Sequence, residues 1–223
     1  MKLQKIERLL LMCRIKAMIG LGNKTNAFIP RLKIDLVSSS LFLGVHGNPA
    51  IFVNKVTYRK LNKFYDSWIP NVTIAIKEDF FNASNRDIQI IGAIIHEAGH
   101  AFNVYAGLAN TEANAYIFEI EVMMMLYHKN ILAALFDIKD KEIQSYFNAR
   151  MKYFKMEANS DPYLKSLINR VKVRFQLSHE PKLVSSESSG KSLQSDSSFF
   201  KQYVWGRESR IVERSYTKIA LVN

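Results

Sequence analysis

The five residues His96-Glu97-Ala98-Gly99-His100 lie inside what reads as one continuous amphipathic helix, and no other stretch restricts the fold so strongly. At 3.6 residues per turn, positions i and i+4 share a face, so the two imidazoles stand about 40° apart around the axis. Two imidazoles so placed can grip one zinc ion. Glu97 then sits beside the metal without ligating it, where it can take a proton from a water that the metal activates. Such a string needs a helix with a dry side, a support behind it and a third ligand in front.

The flanking residues supply the first two. Residues 71–76, Asn-Val-Thr-Ile-Ala-Ile, alternate and are β-branched, which predicts a strand. Residues 82–87 are polar turn material, with Ser84 or Asn85 as N-cap and Asp87 favouring the first turn. Ile88, Ile91, Ile95, Gly99 and Phe102 then recur at spacings of three and four as an apolar stripe, and Gly107 is a natural stop. Chance HExxH strings sit mostly on solvated helix faces. Here an Ile-Ile pair precedes the string and small residues fill both variable positions, which favours the zinc reading.

A catalytic zinc site takes three protein ligands and leaves a fourth position open. Residues 111–121 offer Glu112, Glu119 and Glu121 on a second helix capped by Asn110 or Thr111. Glu112 and Glu119 are seven apart and share a face, whereas Glu121 points elsewhere. The short link from Gly107 to Asn110 folds this helix back, bringing its first turn near His100; Glu119 also faces the site if the helices run antiparallel.

On these residues the chain resembles a zincin metallopeptidase of the gluzincin type, in which HExxH on one helix is completed by a glutamate from a following helix. Glu112-Ala113-Asn114-Ala115 resembles the E-x-x-A or E-A-N signature of small intracellular and effector-type metallopeptidases. The eighteen residues between His100 and Glu119 resemble the spacing of zinc aminopeptidases, without that family's asparagine-glutamate-glycine context. The resemblance spans about 70 residues, from Val72 to the end of the second helix. It implies zinc held by His96, His100 and a glutamate, Glu112 being preferred and Glu119 the alternative; the other would hold a ligand imidazole from behind. It implies Glu97 as general base and hydrolysis of peptide bonds in a protein substrate. By the same resemblance, residues 72–76 would be the edge strand that pairs with extended substrate. Such sites often add a His or Tyr donor to the oxyanion, for which His128, His179, Tyr105 and Tyr116 are candidates. The plainer reading of each is a surface or packing residue, and His46 reads as a turn residue.

Composition bounds the rest. A chain of 223 residues, 48% hydrophobic, can bury one good core, arranged as two lobes around a cleft. Its one cysteine, Cys13, excludes an intrachain disulfide framework and points to a reducing compartment. That suits a cytoplasmic enzyme or an effector or toxin delivered by a dedicated system into another cell. With 31 basic and 20 acidic residues, net +11, the chain favours acidic proteins or anionic surfaces. The cations are scattered and no nucleic-acid signature occurs, so no specific nucleic-acid partner is expected. Residues 1–20 place Leu3, Ile6, Leu10 and Cys13 on one stripe among basic residues. This predicts an amphipathic helix packed on the catalytic body, or a weak contact with an anionic membrane surface. The apolar run 9–13 is too short for a signal peptide, and no run reaches transmembrane length.

Residues 32–37, 41–45 and 51–54 read as further strands, which with the strand at Val72 make a small mixed sheet backing the HExxH helix. Residues 57–67 read as a helix with Tyr, Leu and Phe inward. Downstream, 112–136 reads as one long buried helix in which Met123-Met124-Met125 are core. Residues 139–156 and 162–177 follow as helices, the second capped by Ser160 or Asp161, their Lys and Arg on solvated faces. Residues 185–198, eight serines in fourteen, form a linker to an aromatic and basic tail, 199–223. The expected fold is α+β and zincin-like: a single catalytic domain over 1–184, with a sheet-bearing lobe at 21–108 and a helical lobe at 109–184. Two other function classes fit the same residues: a catalytically silent zinc-binding module and a basic membrane-surface protein.

Overall fold

Among its described residues, 2–22, 26–38, 48–83 and 87–177, the computed structural model is mostly helical with one small sheet, an α+β architecture. The strand expected at 41–45, His46, the caps Ser84 and Asn85, His179, and the segments 185–198 and 199–223 lie outside the described residues. Helix α1 (Leu3–Ala17) continues into a wider π-type turn, Met18–Gly22. Then come β1 (Lys33–Val37), β2 (Ala50–Phe52), α2 (Lys55–Leu61), β3 (Thr73–Lys77), α3 (Glu78–Asn82) and α4 (Asp87–Tyr105). The second half is helical: α5 (Glu112–His128), α6 (Ile131–Phe136), α7 (Asp140–Glu157), a short 3-10 turn (Ala158–Ser160) and α8 (Pro162–Phe175).

The sheet is mixed, with order β1-β3-β2; β3 runs parallel to β1 and antiparallel to β2. Side chains alternate across it. Ala50, Ile74 and Ile76 enter the main core, while Val37, Ile51, Val53 and Ala75 meet Tyr65 and Trp68 on the other face. The expectation that residues 72–76 form an edge strand is therefore wrong: β3 is central, and among the described strands β2 is the edge that packs on α4. Helix α2 starts earlier than expected because Asn54 caps it, accepting from the N–H groups of Val56 and Thr57. It also stops sooner, at Leu61, so Tyr58 and Leu61 pack inward but Phe64 is left 56% exposed. Behind them Tyr65 stacks on Trp68, whose indole N–H donates to Asp35 at 2.7 Å.

Helix α4 is the axis of the main core. The expected stripe of Ile88, Ile91, Ile95 and Phe102 is buried, but so are Ile90, Ile94, Ala98 and Ala101, so the helix is enclosed almost all round. It ends as Gly107 predicts: Gly107 takes φ +68°, and the N–H groups of Gly107 and Leu108 return to the carbonyls of Val104 and Asn103. Helix α1 lies against α4 with Ile6, Leu9, Leu10, Met12 and Cys13 in the core. That packing consumes the amphipathic stripe considered for membrane contact, and Leu3 alone of its four residues faces solvent. No described helix is long and apolar enough to cross a membrane. Residues 112–136 are two helices rather than one, because Asn130 adopts a left-handed conformation that ends α5. Met123 and Met124 are buried, and the core runs without a break from α1 to α8.

Helix α5, capped by the Thr111 hydroxyl, folds back along α4. Gly99 sets how closely. A Cβ there would lie 3.1 Å from Cβ of Phe118 and 3.3 Å from the backbone of Ala115. Gly99→Val is accordingly expected to force the helices apart and destabilise the fold by about 1–3 kcal/mol. Urea unfolding measures this; an unchanged midpoint would show that α5 yields freely.

Candidate metal centre

The α4–α5 pairing places three potential ligands together. Nε2 of His96 lies 3.2 Å from Oε2 of Glu112, and Nε2 of His100 lies 3.4 Å from Oε1 of the same carboxylate. One ligand atom from each residue fits within a 4.8 Å spread. Ligands on a tetrahedral zinc, each roughly 2.0–2.1 Å from the ion, stand about 3.3 Å from one another. The two nitrogen–oxygen separations are close to that spacing, and two neutral imidazoles and a carboxylate so placed could hold a zinc ion, with Glu112 on the exposed side.

Each imidazole is oriented through its other nitrogen. Nδ1 of His96 meets Oε2 of the buried Glu119 at 3.0 Å, and Nδ1 of His100 meets Oδ1 of Asn110 at 2.8 Å. Glu119 is thus behind His96, and its oxygens also accept from Tyr146 and Arg150. Among the two glutamates left open by the sequence, only Glu112 faces both Nε2 atoms. Glu97 leans the other way, to the sheet. Val53 turns its N–H to Thr73 of β3, so the N–H of Phe52 points to the side of β2 away from β3, and Glu97 Oε2 accepts it at 2.6 Å.

The charges are strongly coupled. Burial lowers the His96 pKa, but the hydrogen bonds it donates to Glu112 and Glu119 and the charges of Glu119 and Glu97 outweigh it, raising it to about 9. His100 and then His96 hold Glu112 well below the usual carboxylate range. Glu119 is opposed by its burial, yet His96 and Arg150 hold it low as well. Burial pushes Glu97 upward, against the pull of His96, His100 and the Phe52 N–H. A raised carboxylate is a stronger base.

Of the expected oxyanion donors among the described residues, only Tyr116 adjoins this cluster. Its ring centroid is 4.8 Å from that of His96, and burial, opposed by Arg150, raises its hydroxyl to about 12. Tyr105 closes α4 and joins none of the described contacts of the cluster. His128 lies at the far end of α5, roughly 24 Å along the axis from Glu112 at 1.5 Å per residue. It lines a surface groove with Pro162, Arg170 and Arg174 instead. Arg150 corrects the expectation that the basic residues of α7 are solvated: it is partly buried and paired with Glu119. Asn110, Phe52, Tyr146 and Arg150 have no motif that announces them; the one trace is that Tyr146 and Arg150 stand four apart on α7.

No known family, curated protein or solved structure matches the chain.

The raised His96 pKa has a sign that can be tested without metal. Its folded value, about 9, exceeds the ordinary 6.5, so the stability it confers is fully present below pH 6.5 and lost as pH rises through 9. In metal-stripped protein, the melting temperature of the native chain minus that of His96→Gln is expected to shrink between pH 6.5 and 9. A difference that grows over that window would contradict the geometry.

Proposed function

We propose that this chain is a zinc-dependent endopeptidase of zincin type, acting on peptide bonds in a protein substrate. The observation that carries the reading is the convergence of both HExxH imidazoles on Glu112, with Glu97 next to His96 in the motif and bonded to Phe52 on the edge strand of the described sheet. His96, His100 and Glu112 would hold the ion. When bound, zinc supplies Lewis acidity, lowering the pKa of a water and polarising the scissile carbonyl. Glu97 takes the proton of the attacking water and passes it to the departing amine, a role that suits its burial-raised basicity. The Phe52 N–H fixes one oxygen of Glu97, leaving the other for that proton. Glu112 at the exposed start of α5 leaves the approach open to a large substrate.

The β2 edge is the side along which an extended peptide would lie, adding a strand beside Phe52. This replaces residues 72–76 in that role. The positive charge of the chain, net +11, favours acidic regions of the substrate.

Incubating the protein with a cell lysate and mapping new protein termini tests the reading. Glu97→Gln is expected to lower cleavage by about a hundred- to ten-thousand-fold while zinc stays bound. His96→Ala is expected to lose both. Equal cleavage by Glu97→Gln would sink the mechanism, and stoichiometric zinc with no cleavage by the native chain would leave a silent zinc-binding module in its place.

A further inference from the structure

Behind His96, three helices meet on one carboxylate. Glu119 of α5 is fully buried, with its Oε2 against Nδ1 of His96. From α7, the Tyr146 hydroxyl donates to Oε1 at 2.6 Å, and Arg150 donates through Nε to Oε1 at 3.1 Å and through Nη2 to Oε2 at 2.7 Å. The two-pronged Arg150 contact fixes the plane of the carboxylate as well as its position. The Arg150 guanidinium carbon lies over the rings of Tyr116 and Phe154, 5.2 and 5.7 Å from their centroids. Tyr146 reaches Glu119 through a gap in α4. A Cβ on Gly92, one turn before His96, would overlap the Tyr146 hydroxyl and the ring carbons behind it.

We propose that Tyr146 and Arg150 are positioning residues of the metal centre, and that Gly92 is the gap that admits Tyr146. Pinned by both, Glu119 accepts the Nδ1 proton of His96 and keeps the Nε2 lone pair aimed at the site shared with Glu112 and His100. Without them the carboxylate can swing within its pocket, and the ring loses both its tautomer and its direction. Loss of outer partners of this kind typically costs about ten- to a hundredfold in metal affinity. The role rests on the zinc reading above.

Zinc affinity, measured by competition with a chromophoric chelator, tests it without any substrate. Tyr146→Phe removes one oxygen atom and Arg150→Met removes the fork; each is expected to weaken zinc about ten- to a hundredfold, and Gly92→Ala to follow Tyr146→Phe. Tyr163→Phe is the matched control. It deletes a tyrosine–glutamate bond on the same helix α5, to Glu121, away from the ligands, and is expected to leave zinc affinity unchanged. Cobalt in place of zinc should show an altered visible spectrum in Tyr146→Phe and not in Tyr163→Phe. If Arg150→Met does not fold, Tyr146→Phe decides the matter. Native-like zinc affinity in Tyr146→Phe, or an equal loss in Tyr163→Phe, overturns the positioning role while the zinc reading stands. Failure of the native chain itself to bind zinc overturns both.

Discussion

A carboxylate with no access to water must have its charge met inside the protein, and Glu119 is the group for which this fold meets that demand. Three donors come to it: His96 from α4, and Tyr146 and Arg150 from α7. Removing one partner of a buried ion pair typically costs about 3–5 kcal/mol, so α4, α5 and α7 are tied together at the level of the first HExxH histidine. The surrounding core is ordinary aliphatic and aromatic packing, which tolerates substitution. The polar knot within it requires one arrangement of the three helices, and that arrangement is the one that aims His96 at Glu112.

The two histidines are consequently held unequally. His96 is buried and fixed by a charged network, whereas His100 is oriented by Asn110, an exposed residue of the short link between α4 and α5. Glu112 completes the trio from the solvent side, in the first turn of α5. One wall of the centre is buried and heavily hydrogen-bonded and the other is open. The proposed hydrolytic role would need that combination, because the ligands must not move while substrate and water enter.

The HExxH helix, its glycine stop, a cap at Asn110 or Thr111 and the return of α5 along α4 were all legible from local pattern, since each depends on residues within one or two turns. The choice between Glu112 and Glu119 was not. They share a face, and what separates them is depth: α5 enters the core within two turns, and partners from α7 surround the deeper carboxylate. Nothing local marks Tyr146 or Arg150, and a lone arginine on a polar helix reads as solvated until its partner is known. Strand order was hidden for a related reason. Whether β3 lies at the edge depends on where β1 and β2 dock, and pairing between strands not adjacent in sequence leaves no trace in the alternation of either. The amphipathic first helix was readable, but a stripe that suits a membrane surface suits α4 equally well, and in the structure it packs on α4.

The most direct measurement is zinc K-edge X-ray absorption on the protein carrying one equivalent of zinc. The account requires a four-coordinate shell of light atoms at about 2.0–2.1 Å, with multiple scattering from two imidazoles, reduced to one imidazole in His100→Ala. An all-oxygen shell without imidazole scattering, or a spectrum that does not change in His100→Ala, would place the metal elsewhere and contradict it.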